Sequence, residues 1–234
     1  GGYVIESSAG ALPELPETGV QSVRVLDRHA ARVVVDMDAP HPAQAPSAED
    51  RAALLASTTA IGAEDEQVRA LARRATTGQG AGGARAGNAP ARAEAMRRAV
   101  YRHVRDKSLG VGFGTASETV RSRRGDCTEH ALLLAAALRA EGIPARVATG
   151  LVYADQFAGE RDVFGYHMWT QALLEVDGQQ RWVDLDATLS EAAAFDATHI
   201  ALAVSALDGE NWQASLAGVA PLLGAISVRV EEAK

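Results

Sequence analysis

The sequence lacks features that several classes of protein require. It has one cysteine, Cys127, in 234 residues, which excludes an intramolecular disulfide framework and a zinc site built on several thiolates. It has no excess of Lys and Arg: the net charge is -7, which argues against nucleic acid as a partner because neutralising phosphates needs basic residues. No apolar run reaches the roughly 18 residues that a membrane span requires.

The rest of the composition is that of an ordinary globular protein. Hydrophobic residues make up 47% of the chain and charged residues 23%, which is enough apolar material for one large domain. The chain begins Gly1-Gly2-Tyr3, with neither an initiating methionine nor a signal-peptide pattern. We therefore expect a trimmed or mature fragment whose targeting information has been removed.

The first 46 residues have a character of their own. Two runs, 20–26 and 31–37, are typical of strands, and the proline-rich stretch 39–46 is typical of an extended connector. We interpret residues 1–46 as a lead-in segment or the remnant of a preceding β-domain. Residues 47–234 are then predicted to form the catalytic domain.

Helices are predicted first in this domain and strands afterwards. A helix begins at Ser47, and helical patterns cover 64–75, 91–107, 117–124 and the segment from Cys127 to Gly142. The period then changes to two, which predicts strands at 145–153, 164–176, 180–186, 198–205 and 225–230, with a hairpin turn at Asp177-Gly178. This order indicates an α+β fold with helices packed on one face of an antiparallel sheet.

The lone cysteine stands at the start of a helix. Asp126 occupies the N-cap position and Glu129 follows three residues later, which is the pattern of a capping box. Cys127 is therefore expected in the first turn, where unpaired backbone N–H groups and the helix dipole favour a thiolate and could hold an oxyanion. The alternative for a free cysteine is burial as a small apolar side chain.

A thiolate nucleophile needs a base, and the base needs a group that orients it. His167 lies in one predicted strand, and Asp186 ends the strand that should pair with it through the hairpin turn. Asp184, two residues earlier on the same face, is the alternative acid. Packing of the histidine in the sheet and a turn role for Asp186 are the structural alternatives.

Other polar and aromatic residues near these positions have two interpretations each. His130 either makes a structural hydrogen bond or touches the site, including as a metal ligand together with Cys127. Tyr166 and Trp169 flank His167 and are the candidates for substrate binding, with core packing as the alternative. His199 is interpreted as part of a core strand.

Four sequence blocks together resemble the bacterial branch of the transglutaminase-like superfamily. The blocks are Gly125-Asp126-Cys127-Thr128-Glu129-His130, Gly142-Ile143-Pro144-Ala145-Arg146, Tyr166-His167-Met168-Trp169 and Trp182-Val183-Asp184-Leu185-Asp186-Ala187-Thr188. The resemblance covers about 91–205. It implies a papain-like α+β core in which Cys127 is the nucleophile, His167 the general base and acid, and Asp186 the orienting residue.

The resemblance identifies the three triad residues more specifically than it identifies the reaction that they catalyse. Relatives that cross-link proteins use calcium and an upstream tryptophan, yet 91–127 contains no Trp, and Asp155, Glu160 and Asp162 lack the spacing of a calcium loop. We expect no cofactor and no metal. The leading hypothesis is a cysteine peptidase or amidase that acts on a peptide or protein; acyl transfer to an amine and a non-catalytic binding module are the alternatives. The resemblance also implies an exported, periplasmic protein.

Overall fold

The computed structural model describes residues 1–78, 87–107, 114–157, 159–209, 222 and 224–232, and these form the predicted α+β fold. The helices are α1 (Ala48–Ala53), α2 (Glu66–Thr76), α3 (Ala89–His103), α4 (Ala116–Ser122) and α5 (Cys127–Ala140). The strands are β1 (Gly2–Ser7), β2 (Gln21–Val25), β3 (Ala30–Val35), β4 (Ala145–Phe157), β5 (Glu160–Val176), β6 (Gln179–Leu185), β7 (His199–Ser205) and β8 (Ile226–Glu232).

The strands form two antiparallel sheets. The first sheet has the order β2-β3-β1-β8, and the second, which carries the candidate catalytic residues, has the order β6-β5-β4-β7. The turn Asp177-Gly178 joins β5 to β6, as predicted; both residues have positive φ, at 51° and 75°. This turn sets the register in which Thr170 pairs with Leu185.

The second sheet lies between the helices and the first sheet. Helix α5 packs on one face and is buried on every side from Ala131 to Leu138, which explains why its sequence is apolar almost throughout. Residues such as Leu151 and Ile200, on the other face, pack against Ile5 and Val33 of the first sheet. The prediction of helices on one face is therefore confirmed, and the first sheet covers the opposite face.

Strand β1 was missed from the sequence. It is the third strand of its sheet, between β3 and β8, and Tyr3, Val4 and Ile5 are all buried. Because both faces of this strand are covered, its sequence does not alternate between apolar and polar residues. The period-two signal that identified β2 and β3 is therefore absent.

The helix starts follow N-caps, as expected. Ser47 and Asp65 cap α1 and α2. Helix α3 differs from the predicted range of 91–107: it is capped by Asn88, includes Pro90 in its first turn, and ends at His103. Proline is accepted in the first helical turn because that N–H needs no intrahelical partner, so Pro90 opens this helix instead of preceding it.

The first 46 residues are joined to the rest of the chain by backbone pairing. Strand β8 pairs with β1, so the first sheet includes a strand from beyond residue 46. In the connector, the Ala43 amide donates a hydrogen bond to the Gln180 carbonyl at 2.7 Å. The division at residue 46 stays a prediction. No helix in the described part of the chain is long and apolar enough to span a bilayer.

Gly150 marks a close approach of two strands. It lies on β4 where the pairing with β7 shifts register, and a Cβ built on it would lie 2.0 Å from the Ile200 carbonyl oxygen and 2.9 Å from the Trp169 ring. The obstructing carbonyl belongs to the backbone and cannot rotate away. A side chain at this position would therefore separate β4 from β7.

We expect Gly150→Ala to lower the free energy of unfolding by roughly 1–3 kcal/mol, because the extra methyl overpacks the sheet. Urea denaturation measures the change. Gly165→Ala on the neighbouring strand β5 is the matched control, since a Cβ there meets no atom within 4 Å. Equal losses of stability in the two variants would contradict the close approach at Gly150.

Candidate active site

Cys127 is the first residue of α5, and a capping box holds the turn before it. Oδ1 of the N-cap residue, Asp126, accepts a hydrogen bond from the Thr128 amide at 2.9 Å. In return, Oε2 of Glu129 accepts one from the Asp126 amide at 2.8 Å. The predicted helix start is confirmed, and the partly buried thiol lies at the end of the helix that favours an anion.

Contact with Glu129 explains why a glycine precedes the N-cap. A Cβ built on Gly125 would lie 2.2 Å from the Cβ of Glu129, far inside van der Waals contact. Glu129 is fully buried, and its Oε1 accepts a hydrogen bond from the Gly114 amide at 2.6 Å. Burial raises the pKa of Glu129, against the lowering effect of its two backbone donors. A side chain at position 125 would thus disturb the turn that carries Cys127.

His167 on β5 contacts both of its predicted partners. Its Nε2 lies 2.8 Å from Oδ2 of Asp186, which follows the last residue of β6. The Cys127 thiol interacts with the same ring, and this interaction is one of the causes that raise the pKa of His167. Because Nε2 faces the carboxylate, Nδ1 is the nitrogen left for the sulfur. Burial lowers the pKa of His167, but the bonds to Asp186 and Cys127 outweigh burial and raise the pKa to about 10.

The Asp186 carboxylate is buried and surrounded by donors. Oδ1 accepts from the amide and the hydroxyl of Thr188, both at 2.7 Å. Oδ2 accepts from His167 and, at 3.4 Å, from Nε2 of His199. Burial tends to raise the pKa of Asp186, yet these hydrogen bonds, led by that of His167, hold the pKa well below its usual range. The carboxylate is therefore ionised at neutral pH.

Asp184, the alternative acid, belongs to a different network. Its Oδ1 accepts hydrogen bonds from Nε1 of Trp169 at 2.8 Å and from Nε2 of Gln171 at 2.6 Å. On its other side, Gly19 with φ +59° comes so close that a Cβ there would lie 2.4 Å from Oδ2. Burial raises the pKa of Asp184 in spite of its donors. Asp184 therefore ties β6 to β5 and to the N-terminal segment, and the carboxylate that contacts His167 is that of Asp186.

His130 makes a structural hydrogen bond, one of its two interpretations. Its Nδ1 lies 2.6 Å from the Asp126 carbonyl oxygen, and since a carbonyl only accepts, Nδ1 carries the proton. Burial lowers the pKa of His130, against the opposing effect of the carbonyl, so the ring is neutral. Its Nε2 then presents a lone pair, which has no hydrogen-bond partner among the described residues.

A cavity of about 220 Å³ opens at the Cys127 thiol. This volume equals that of roughly seven water molecules, enough for one or two small side chains. Its polar lining comes from the helix end, the histidines and one lysine: Lys107, Asp126, Cys127, His130, His167 and Thr188. The opposite wall is mostly apolar and comes from β4 and β5: Val152, Ala154, Phe157, Gly165 and Tyr166.

The two candidate substrate-binding residues differ in their position relative to this cavity. Tyr166 lines it and donates a hydrogen bond from its hydroxyl to the Leu222 carbonyl. Trp169 is only 1% exposed and packs between His167 and Phe195, with ring centroids 6.2 Å and 5.9 Å away. A substrate contact stays a prediction for both, and the burial of Trp169 gives its side chain no direct access.

One cluster among the described residues has the composition of a metal site. Donor atoms of His167, Asp186 and His199 all lie within 4.8 Å of one another. The short distances are already explained by hydrogen bonds, because Oδ2 of Asp186 accepts from both rings. Cys127 and His130, the pair considered from the sequence, are not part of such a cluster. The absence of a metal stays a prediction.

Sequence reasoning missed the position of two residues relative to the site. His199 was interpreted as part of a core strand, and it is buried, but its Nε2 faces Asp186. The signal that could have found it is an imidazole at the head of an otherwise apolar strand. Lys107 was placed at the end of a helix, yet α3 ends at His103 and Lys107 lines the cavity. No local pattern indicates that position.

The chain is similar to proteins of known family and structure. A family model described as the transglutaminase-like superfamily matches residues 69–187, just over half of the chain. A candidate cysteine protease from Cytophaga hutchinsonii superposes with a TM-score of 0.50 at 15% identity, over 97% of this chain and 80% of that one. This likeness shows the fold alone.

Two further solved structures are more distant. The periplasmic domain of TgpA from Pseudomonas aeruginosa has a TM-score of 0.48 at 19% identity, over 79% of this chain and 67% of its own. Red sea bream transglutaminase has a TM-score of 0.42 at 12% identity, over 82% of this chain and 46% of its own. No curated protein matches the sequence.

We expect Asp186→Asn to lower the pKa of His167 from about 10 toward or below the ordinary value near 6.5, because the largest factor that raises it is removed while burial remains. The ring proton of His167 stabilises the fold fully below about pH 6.5, and this stabilisation is lost as the pH rises through about 10. An NMR titration of the His167 ring measures the shift. Asp184→Asn is the control and should leave the His167 titration near pH 10; equal shifts in both variants would contradict the pairing with Asp186.

Proposed function

Because this chain belongs to the transglutaminase-like superfamily, we propose that it is a thiol-dependent hydrolase that cleaves amide or isopeptide bonds through a thioester on Cys127. The observation that carries the proposal is the hydrogen bond from the His167 ring to the Asp186 carboxylate at a cavity that Cys127 and His167 both line. The same order of groups activates nucleophiles on unrelated folds. The family and the papain-like fold agree with this reaction class.

The first half of the reaction forms the thioester. His167 accepts the thiol proton, and the thiolate attacks the carbonyl carbon of the substrate. The carbon–nitrogen bond then breaks as the imidazolium donates the proton to the leaving amine. The anionic Asp186 favours this step, because it stabilises the imidazolium and holds the ring with Nδ1 toward the sulfur.

In the second half, water replaces the amine. His167 removes a proton from the water as its oxygen attacks the thioester carbonyl. The carbon–sulfur bond breaks, the carboxylic acid leaves, and the proton returns to the sulfur. The wall of the cavity contains no indole within the described part of the chain, and no Trp occurs between residues 91 and 127. The tryptophan associated with cross-linking relatives therefore has no equivalent at that place in the sequence, which favours water as the acceptor.

The backbone amide of Cys127 is the best placed donor for the oxyanion. In the first turn of α5, the amides of Thr128 and Glu129 are engaged by the Asp126 side chain, and that of His130 bonds to the Asp126 carbonyl. No acceptor for the Cys127 amide is found among the described residues. This amide lies on the nucleophile itself and at the positive end of the helix, where a developing oxyanion is stabilised most.

The substrate and the location of the protein follow from the resemblance and remain proposals. A peptide or protein carries the amide or isopeptide bond that this chemistry needs. The described residues do not indicate which polymer would be recognised as the substrate. Peptidoglycan peptides would be accessible only if the protein is exported. We propose a periplasmic location, which the family resemblance implies, and cell fractionation would test it.

We expect iodoacetamide to label the protein much faster than it labels free cysteine at pH 7, because the imidazole of His167 shares the thiol proton. The chain has a single cysteine, so the adduct reports on Cys127 alone. Turnover of peptide or isopeptide libraries should fall at least about 10³-fold in Cys127→Ala. His167→Gln should lower both labelling and turnover.

The products separate the candidate reactions. Release of a free acid supports hydrolysis, whereas capture of a labelled amine in the product would identify acyl transfer. Labelling of the parent protein at the rate of free cysteine, with no turnover, would contradict both reactions and favour a binding module on the same fold.

A further inference from the structure

Among the described residues, Lys107 is the one lysine or arginine that lines the cavity at the Cys127 thiol. Its Nζ lies 3.5 Å from the centroid of the Tyr101 ring, a cation–π contact that limits the motion of the side chain. No ion pair of the described residues includes it. Burial lowers the pKa of Lys107, while the charge of Asp186 opposes this effect. The ammonium group of Lys107 therefore interacts electrostatically with Asp186.

Two of the nearby arginines already have acidic partners. Arg121 pairs with Asp65 at 2.6 Å, and Arg124 pairs with Asp106 at 2.8 Å. Neither of these arginines lines the cavity, and of the described lysines and arginines Lys107 alone does so.

The opposite wall of the cavity is apolar. Val152, Ala154 and Phe157 on β4 form most of it, and the Phe157 side chain is 46% exposed, which is unusual for a large aromatic residue. A substrate group that has a negative charge and an apolar portion would fit between the cation on one side and the apolar surface on the other. Lys107, Phe157 and Cys127 all line this one cavity of about 220 Å³.

We propose that Lys107 binds a carboxylate of the substrate, carried within about one residue of the scissile bond, beside an apolar group that packs on Phe157 and its neighbours. This inference rests on the proposed function, because it assigns the substrate class of the same cavity. A peptide whose leaving amino acid has a free α-carboxylate, or whose acyl residue has an acidic side chain, fits this description.

The experiment compares iodoacetate with iodoacetamide on Cys127, two reagents of the same size that differ in one negative charge. The ratio of their labelling rates should exceed the ratio for free cysteine and should fall about threefold to fivefold in Lys107→Gln, the range expected for one partly exposed charge pair. Lys107→Arg should keep the preference for iodoacetate. Added salt should weaken the preference in the parent protein.

Arg24→Gln is the matched control, because it removes the same charge from an exposed position on β2 in the other sheet. An unchanged ratio in Lys107→Gln, or an equal fall in Arg24→Gln, would overturn the proposal. The ratio is independent of the absolute rate. Slow labelling of the parent by both reagents would contradict the proposed function, while the change of ratio would still decide the role of Lys107.

A different contact supports a second inference, which concerns His199. Its Nε2 lies 3.4 Å from Oδ2 of Asp186, the oxygen that also accepts from His167. A carboxylate oxygen only accepts, so the imidazole nitrogen that faces it carries a proton. The ring is buried and packs against Phe195 with the centroids 4.2 Å apart. Its Nδ1 lies 3.4 Å from Oδ1 of Asp196.

We infer that His199 is a positioning residue for the triad. Thr188 holds one oxygen of the Asp186 carboxylate, and His199 donates to the other. Without His199, Oδ2 retains only His167, so the position of this oxygen is fixed less firmly. The His167 ring would then lose the fixed direction that keeps its other nitrogen at the sulfur.

Two substitutions separate this role from simple packing. His199→Gln keeps a neutral N–H donor near the original nitrogen, whereas His199→Leu keeps apolar volume and removes the donor. We expect labelling of Cys127 by iodoacetamide within about threefold of the parent for Gln and about tenfold slower for Leu, as for loss of a hydrogen bond to a charged group. The downfield Nε2 proton signal of His167 should persist in the Gln variant and broaden or disappear in the Leu variant.

Unfolding curves of both variants show whether each is folded under the assay conditions. Equal labelling rates in the Gln and Leu variants, either both unchanged or both reduced, would overturn the inference. The proton signal of His167 keeps this test separate from the proposed function, because it reports on the ring even if Cys127 in the parent proves unreactive.

Discussion

The arrangement of the site depends on a carboxylate that is buried in its ionised form. Isolated ions are expensive to remove from water, and their burial is tolerated only where donors satisfy them. Asp186 receives its donors from Thr188 beside it, from His167 on β5 and from His199 on β7. These donors converge only when the strands are correctly assembled, so the buried carboxylate beside His167 depends on the correct assembly of the sheet.

The segment that precedes β2 contributes to this assembly through a polar contact with the second sheet. Arg146 on β4 donates to Oε1 of Gln171 at 2.9 Å and to Oγ1 of Thr18 at 2.6 Å, and its guanidinium packs 3.8 Å from the Trp182 ring centroid. Thr18 belongs to the segment that the sequence indicated as a lead-in. This segment therefore supports the strands that carry the site, whichever way the domain boundary is drawn.

Local features of the site could be predicted from the sequence, and long-range features mostly could not. The capping box of Asp126 and the turn at Asp177-Gly178 are specified by residues within a few positions of one another, and both are present. The pairing of His167 with an aspartate followed from a resemblance and from adjacent strands. The structure pairs it with Asp186, because Asp184 is engaged by Trp169, Gln171 and the close approach of Gly19.

Helix α3 and strand β1 were also predicted incompletely from local patterns. The sequence placed the start of the helix after Pro90, although a proline in the first turn is compatible with a helix that Asn88 caps. Strand β1 was missed because burial on both faces removes the alternation that a half-exposed strand shows. The role of His199 depends on its contact with Asp186, 13 positions away in the chain. The strand pattern around His199 does not indicate this partner.

The pairing of β1 with β8 has a consequence for the order of events during synthesis. Among the described strands, β1 is synthesised first and β8 last. Until β8 arrives, one edge of β1 offers unpaired amides and carbonyls to any other nascent chain. The protein must therefore complete its helical layer and second sheet with this edge exposed, which makes the interval before the last strand its period of greatest exposure to misassembly.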